Sequence, residues 1–257
     1  MTGASRGIGA ATVLALADEG WAVVATDRCA DDDRLPYALG TREQLEAVVA
    51  EACAGGGDVI ARQADTCVAS DISAAVADAE ERFGGLDAVL SVAGVVAGGV
   101  PLWEQNQGQL DAVLEIDLHG VLTLARVTVP ALLRRDMPRS GRFVAVSSAA
   151  AFRGLPLLAG YSAAKAGVNG LVRALAAELR GTGVTANTVS PGSTRTPILE
   201  ESARLYGLAS AEEFGAQQAL ERLLDPAEVA AAVVWLASPA SSGVTGTDLA
   251  VDGGFGL

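Results

Sequence analysis

Residues 1–27 read MTGASRGIGAATVLALADEGWAVVATD, the order of a glycine turn, a helix and a strand that ends in an acid. Glycines at 3, 7 and 9 permit a tight turn, close backbone approach to a pyrophosphate, and close packing of a helix whose N-terminus faces the phosphates. Ala11, Val13, Leu14 and Leu16 make the next segment an apolar helix, and Ala22-Val23-Val24-Ala25-Thr26 reads as a buried parallel strand with Asp27 at its end. A carboxylate there can accept both ribose hydroxyls of NAD and would repel the 2′-phosphate of NADP. Arg28 is a counter-signal, but Asp31, Asp32 and Asp33 add negative charge, so the balance favours NAD with NADP as the alternative. A turn, helix and strand in this order predict an α/β fold with a doubly wound parallel sheet of the Rossmann type in a single domain. Such a sheet needs a strand of about five or six residues before the glycine turn. The sequence starts at the turn, so the expectation is a first strand missing from the chain as given, with Met1 standing for its last residue.

A second stretch, Ser147 to Lys165, supplies chemistry. Phe143-Val144-Ala145-Val146 is apolar enough for a buried strand, and Val168, Leu171, Leu175 and Leu179 give the segment from Tyr161 helical spacing. Tyr161 and Lys165 then lie one turn apart on one face. A phenol with a pKa of about 10 is a poor base at neutral pH, and an ammonium within about 4–6 Å lowers it by roughly 1–3 units. Lys165 is thus expected to make Tyr161 a usable proton acceptor, while Ser148 holds a substrate oxygen. Any helix can carry such a pair by chance. However, of the 18 basic residues Lys165 is the single lysine, and a compact, tunable ammonium is what distinguishes it from the guanidinium used everywhere else.

Half of the 257 residues are hydrophobic and 4 % aromatic, so the core is expected to be built from Ala, Val and Leu. A net charge of −13 argues against nucleic acid or an anionic membrane as partner. Cys29, Cys53 and Cys67 are odd in number and lack metal-ligand spacing, which suggests reduced thiols, a cytoplasmic setting and no metal. There is no charged-then-apolar leader and no unbroken apolar run of about 18 residues, so secretion and membrane spanning are not expected.

Thr2-Gly3-x3-Gly7-x-Gly9 and Tyr161-x3-Lys165 resemble the TGxxxGxG and YxxxK motifs of the short-chain dehydrogenase/reductase family, in its single-domain branch, and the resemblance runs from Thr2 to the C-terminus. It implies hydride exchange between NAD and a small alcohol or ketone, with Ser148, Tyr161, Lys165 and Asp117 as catalytic positions. For the cofactor it implies Gly3, Ser5, Arg6, Gly7, Ile8, Gly9, Asp27, Asp65 as the adenine-contacting acid, Ala93, Gly94, Tyr161, Lys165, Pro191, Gly192, Thr194, and Thr196 as the nicotinamide-amide partner. Two positions depart from the pattern. Val92 stands in Ser91-Val92-Ala93-Gly94 where the family has asparagine, which puts one sheet contact in doubt. Asp117 also replaces an asparagine, and its charge could pair with Lys165 through water and alter the proton relay. His119, the only histidine, reads as packing or capping.

Between Thr26 and the next strand, Val59-Ile60-Ala61-Arg62, lies an unusually long piece. Cys29 to Gly40 reads as a loop beside the adenosine site, and Thr41-Arg42-Glu43-Gln44 as a capping box before a helix. With Arg153-Gly154-Leu155 and Ser190-Pro191-Gly192-Ser193-Thr194, this insertion resembles the mycofactocin-coupled subgroup. There, the insertion goes with a nicotinamide cofactor that does not readily leave and electrons pass to a peptide-derived redox carrier; an ordinary loop insertion is the alternative.

Leu110 to Met137 is expected to hold two helices broken near Asp117-Leu118-His119-Gly120, the second with a wide apolar face that in the family packs on another subunit of a dimer or tetramer. Ile198 to Leu224 reads as a helical substrate lid interrupted at Tyr206-Gly207. Val95, Val96, Leu155, Pro156, Leu157 and Leu158 suggest an apolar pocket, hence a hydrophobic secondary alcohol. The rivals are an NADP-linked ketoreductase and a cofactor-sensing binding protein without turnover.

Overall fold

In the computed structural model, which describes residues 1–257, six parallel strands carry helices on both faces. The first sheet pairs β1 (Val23–Asp27) with β2 (Val59–Gln63), Val23 opposite Val59. The second runs in the order β3 (Ala88–Ser91), β4 (Arg142–Val146), β5 (Thr185–Pro191) and β6 (Asp248–Val251). Met1 and Thr2 tie the two together. The Met1 nitrogen donates to Val24 O at 2.8 Å, Thr26 N donates to Met1 O at 2.8 Å, and Thr2 N donates to Leu90 O at 3.0 Å. These two residues lie where the sequence calls for the strand ahead of the glycine turn.

Alternation along β4 splits the core in two, because successive side chains in a strand point to opposite faces. Val144 and Val146 join the cluster under α1 (Gly7–Asp18), α2 (Arg42–Ala54) and α8 (Pro226–Ala237). Phe143 and Ala145 join the cluster under α3 (Ala69–Phe83), α5 (Gly120–Leu133) and α6 (Ala159–Glu178). With both faces covered, the strands read as continuous apolar runs.

Local chemistry fixes several boundaries. The box that starts α2 is present, with Gln44 N on Thr41 Oγ1 at 3.2 Å and Thr41 N on Gln44 Oε1 at 3.0 Å. In α7 (Pro197–Tyr206), Thr196 caps the N-terminus, Pro197 fills the first turn, and Gly207 ends the helix with φ of 67°. The lid is therefore less helical than expected: after α7 comes only a 3₁₀ turn, Ala211–Gln217.

The expected break at residues 117–120 is instead a π turn, Glu115–His119, joining α4 (Gln107–Leu114) to α5 without interruption. No glycine or proline chemistry forces a stop there; Gly120 keeps right-handed helical angles. The extra residue in the turn rotates Asp117 inward, where it is fully buried. The continuous stretch Gln107–Leu133 is long and apolar enough to cross a membrane, and half of its most apolar window is buried inside the protein. It packs on α3 and α6 as a core helix.

Candidate active site

The carboxyl ends of the strands open into one cleft of about 480 Å³. At its centre the glycine turn leaves no room for side chains. Gly3 and Gly7 have φ of +68° and +56°, and a Cβ on Gly9 would fall onto the carbonyl of Gly3. The first turn of α1 contains no acidic residue and Arg6 provides no side-chain cap, so the amides of that turn remain available to an anion. The Thr2 hydroxyl accepts from Val92 N at 3.2 Å and Ala93 N at 3.3 Å, which holds this strand end in place although Val92 has no amide to offer. This cradle fits a dinucleotide.

To one side stands Asp27, whose Oδ2 accepts from Ser5 N at 3.1 Å and Ser5 Oγ at 2.7 Å. Arg28 is drawn away from solvent phosphate by two carboxylates, Asp32 at 3.0 Å and Asp65 at 3.3 Å. Its pull toward a 2′-phosphate is thereby answered. The guanidiniums of Arg34 and Arg28 hold the Asp32 carboxyl well below the usual range.

The insertion closes over this end. Arg6 Nη1 donates to Ala38 O at 3.1 Å, Arg34 pairs with Glu115 at 2.6 Å, and Tyr37 Oη accepts from Val96 N at 2.9 Å while packing beside Leu35, Val95 and Ala97. Leu39 and Gly40 line the cleft, and Gly40 lies so close to Ser5 that a Cβ there would meet its hydroxyl. Composition had marked this piece only as a long loop; its anchoring through Tyr37 carries no local signal.

The other side gathers Ser148, Tyr161, Lys165 and Asp117. Ser148 lies two residues past β4, where its hydroxyl accepts from Ala150 N at 3.1 Å and its presence near the Tyr161 phenol pulls that group down. Lys165 Nζ lies 3.2 Å from Asp117 Oδ2, 3.4 Å from Val146 O and 5.6 Å from the Tyr161 ring centre. The water-bridged pair expected from sequence is thus a direct one, because the π turn brings the carboxylate fully inward. Gly94 passes over it: a Cβ there would come within 3.1 Å of Lys165 Nζ. Burial pushes the Tyr161 phenol up, Lys165 and Ser148 pull it down, and Asp117 pushes it up again, so the phenol ends above its ordinary value. The expectation that Lys165 makes Tyr161 a usable acceptor meets an opposing effect: burial and Asp117 together outweigh the ammonium. Lys165 is itself raised, burial opposing and Asp117 and Tyr161 prevailing. His119 does not line the cleft.

Pro191, Gly192, Thr194 and Thr196 form the facing wall. Thr196 Oγ1 donates to Thr194 O at 3.1 Å, and Thr194 Oγ1 to Gly192 O at 3.1 Å. A side chain with no sequence signal holds this loop: buried Gln218 accepts from Ser193 N at 2.9 Å and donates to Ser193 O at 3.3 Å. Beyond lies a wall of Leu155, Pro156, Leu158, Leu199, Phe214 and Phe255. Tyr206 fixes the lid to it, its hydroxyl donating to Pro156 O at 2.6 Å and its ring edge-on to Phe214.

Residues 3–256 match the family model described as Enoyl-(Acyl carrier protein) reductase. The short-chain reductase protein NovJ of Streptomyces niveus is 38 % identical over 257 residues, 99 % of this chain and 92 % of that one. An uncharacterized NAD-dependent oxidoreductase of Mycobacterium tuberculosis is 34 % identical over 260 residues, covering 99 % of this chain and 94 % of its own. Among solved structures, carveol dehydrogenase from Mycobacterium avium in complex with NAD superposes with a TM-score of 0.93 at 29 % identity, covering 99 % of this chain and 95 % of that one.

Proposed function

The chain belongs to the short-chain dehydrogenase/reductase family, and from that premise we propose that it is an NAD-dependent oxidoreductase that interconverts a hydrophobic secondary alcohol and its ketone. The observation that carries this is the meeting of Ser148, Tyr161 and Lys165 beside the glycine cradle in one cleft. NAD, when bound, supplies the hydride acceptor or donor. Gly3, Ser5, Arg6, Gly7, Ile8 and Gly9 would hold its phosphates, Asp27 its ribose, Asp65 its adenine, and Ala93, Gly94, Pro191, Gly192, Thr194 and Thr196 its nicotinamide half. Ser148 orients the substrate oxygen, Tyr161 exchanges a proton with it, and Lys165 steadies the phenolate. Asp27 and the engaged Arg28 favour NAD over NADP.

The wall is aliphatic and aromatic, and its charged neighbour Arg153 is stacked over the Phe255 ring, which supports an apolar substrate. The anchored insertion supports the finer reading that NAD is retained and re-oxidised by an external carrier of the mycofactocin kind. Free thiols at Cys29, Cys53 and Cys67 are consistent with a cytoplasmic setting. The half-exposed Leu122 on α5 supports a dimer or tetramer.

The test is to mix the protein with excess NAD and a pool of hydrophobic secondary alcohols and follow reduced nicotinamide. Formation is expected to stop at about one equivalent per subunit, the limit for a carrier that stays bound, and to resume with an artificial electron acceptor. Continuous formation would show exchanging NAD and end the retention reading. No reduction with NAD or NADP would end the enzyme reading in favour of a sensor.

A further inference from the structure

Buried charge around Tyr161 is balanced in an unusual way. Asp117 is fully buried and Lys165 nearly so; the ammonium lies 3.2 Å from the carboxylate and 5.6 Å from the centre of the Tyr161 ring. Asp117 Oδ1 accepts from Val95 N at 2.8 Å. Its Oδ2 is buried with no hydrogen-bond partner and faces only the Lys165 ammonium, 3.2 Å away. A neutral carboxylic acid placed there would leave its hydroxyl unsatisfied beside a cation, which is costly; a carboxylate would be satisfied by that same cation. Tyr161 therefore faces a positive charge that has a negative one 3.2 Å behind it, and the two push its proton in opposite senses, Lys165 more strongly.

We propose that Asp117 is ionised in the working enzyme and offsets part of the Lys165 charge felt by Tyr161, so that it acts as the positioning residue that sets the pH at which Tyr161 gives up its proton. This deepens the dehydrogenase reading and rests on it for its consequence in turnover. Lys165 still binds, orients and steadies the phenolate, but part of its acidifying pull on the phenol is offset by Asp117. Tyr161 then keeps its proton to higher pH. In ketone reduction its O–H bond breaks as the proton passes to the substrate oxygen, and solvent returns a proton to the phenolate. In alcohol oxidation the proton travels the other way and Tyr161 must first be ionised. The offset thus extends the reducing direction toward alkaline pH and delays the oxidising one. Burial raises the Asp117 carboxyl while Lys165 and the Val95 amide pull it down, and the other titratable group near it, Tyr37, is held neutral by burial.

The test needs no turnover. The chain has three tyrosines, Tyr37, Tyr161 and Tyr206, so tyrosine labelled with ¹³C at the ring carbon bearing the hydroxyl gives three resonances, assigned by replacing Tyr37 and Tyr206 with phenylalanine. In Asp117→Asn, Tyr161 is expected to titrate at least about one pH unit lower than in the unaltered chain, since removing one charge at this range shifts a neighbour by roughly 1–3 units. Asp117→Ser, neutral and also able to accept from Val95 N, is expected to shift it the same way. The pH profile of kcat/KM for alcohol oxidation should move by the same amount in the acid direction. Titration within about 0.3 unit of the unaltered chain in both variants, well below a one-charge effect, would overturn the proposal. So would loss of the folded state in both, which would make the carboxylate a structural group. A tyrosine shift without any dehydrogenase turnover would leave the charge balance standing and remove the enzyme reading.

Discussion

Deleting the phenolic oxygen of Tyr161 separates chemistry from architecture. The ring packs against the cluster of Val95, Ala97, Ala112 and Ala164, and that contact survives in Tyr161→Phe, while the proton carrier is lost. Turnover is expected to fall by roughly 10²–10⁴, the usual worth of a positioned acid or base, with the melting temperature nearly unchanged. Steady-state rates and a thermal melt check both halves; near-normal turnover would remove Tyr161 from its role. Tyr161 and Lys165 were legible because a helix fixes the relation of i to i+4, and the solitary lysine in an arginine-rich chain pointed the same way. The direct Asp117–Lys165 pair was not. These residues are 48 positions apart, and only the π turn Glu115–His119, which has no compositional marker, rotates the carboxylate into contact. The sign of the Tyr161 shift escaped for the same reason: a spacing argument sees the ammonium and misses both burial and the second charge.

At the scale of elements, the loop after β5 is held by the segment after the 3₁₀ turn as well as by its own turn chemistry. Gln218 pairs with both main-chain groups of Ser193, Leu224 N donates to Ser193 O at 2.9 Å, and Leu220 N donates to Gly253 O at 3.0 Å. These bonds tie the segment after the 3₁₀ turn to both the loop and the C-terminal turn. In Gln218→Leu the partly buried Ser193 N–H loses its acceptor, at a cost of about 1 kcal/mol, the low end for an unsatisfied donor. Thermal or urea unfolding is expected to show that loss, and the KM for NAD to rise more than kcat falls. A stability unchanged within error would show that the loop stands without the amide. Local signals served well where one element determines itself: the Thr41–Gln44 box starts α2, and Pro197 and Gly207 bracket α7. Gln218 acts across 25 positions in the chain, and nothing in the residues beside it marks it.

At the scale of the molecule, the question is what opens to let a cofactor leave. The doubly wound architecture was legible because both faces of a parallel sheet must be covered, so its strands are apolar throughout and its glycine turn is fixed in place. What the insertion does was not legible, since Cys29 to Gly40 contains no periodic pattern and its partners come from distant segments. Arg34 reaches Glu115, Tyr37 reaches Val96, and Arg6 reaches Ala38, which pins the loop at three points around the Asp27 end of the cleft. Arg34–Glu115 is exposed and contributes little on its own, as surface pairs do. Tyr37 is the partly buried anchor, bringing ring packing and a hydrogen bond to a main-chain amide together. Replacing it with alanine removes both, and since Tyr37 is only partly buried the cost falls below the roughly 3–5 kcal/mol of a fully buried aromatic. If only about 1.4 kcal/mol of that appears in the strap's closing equilibrium, a release that requires opening becomes tenfold faster. Tyr37→Ala is therefore expected to lose bound NAD at least about tenfold faster, followed by trapping the freed cofactor with an NAD-consuming enzyme. Arg82→Ala, outside the cleft and paired only with Asp58 on the surface, is expected to release NAD at the unaltered rate. Equal rates in all three proteins would mean that the cofactor leaves without moving the insertion, and the strap would then be an ordinary surface loop.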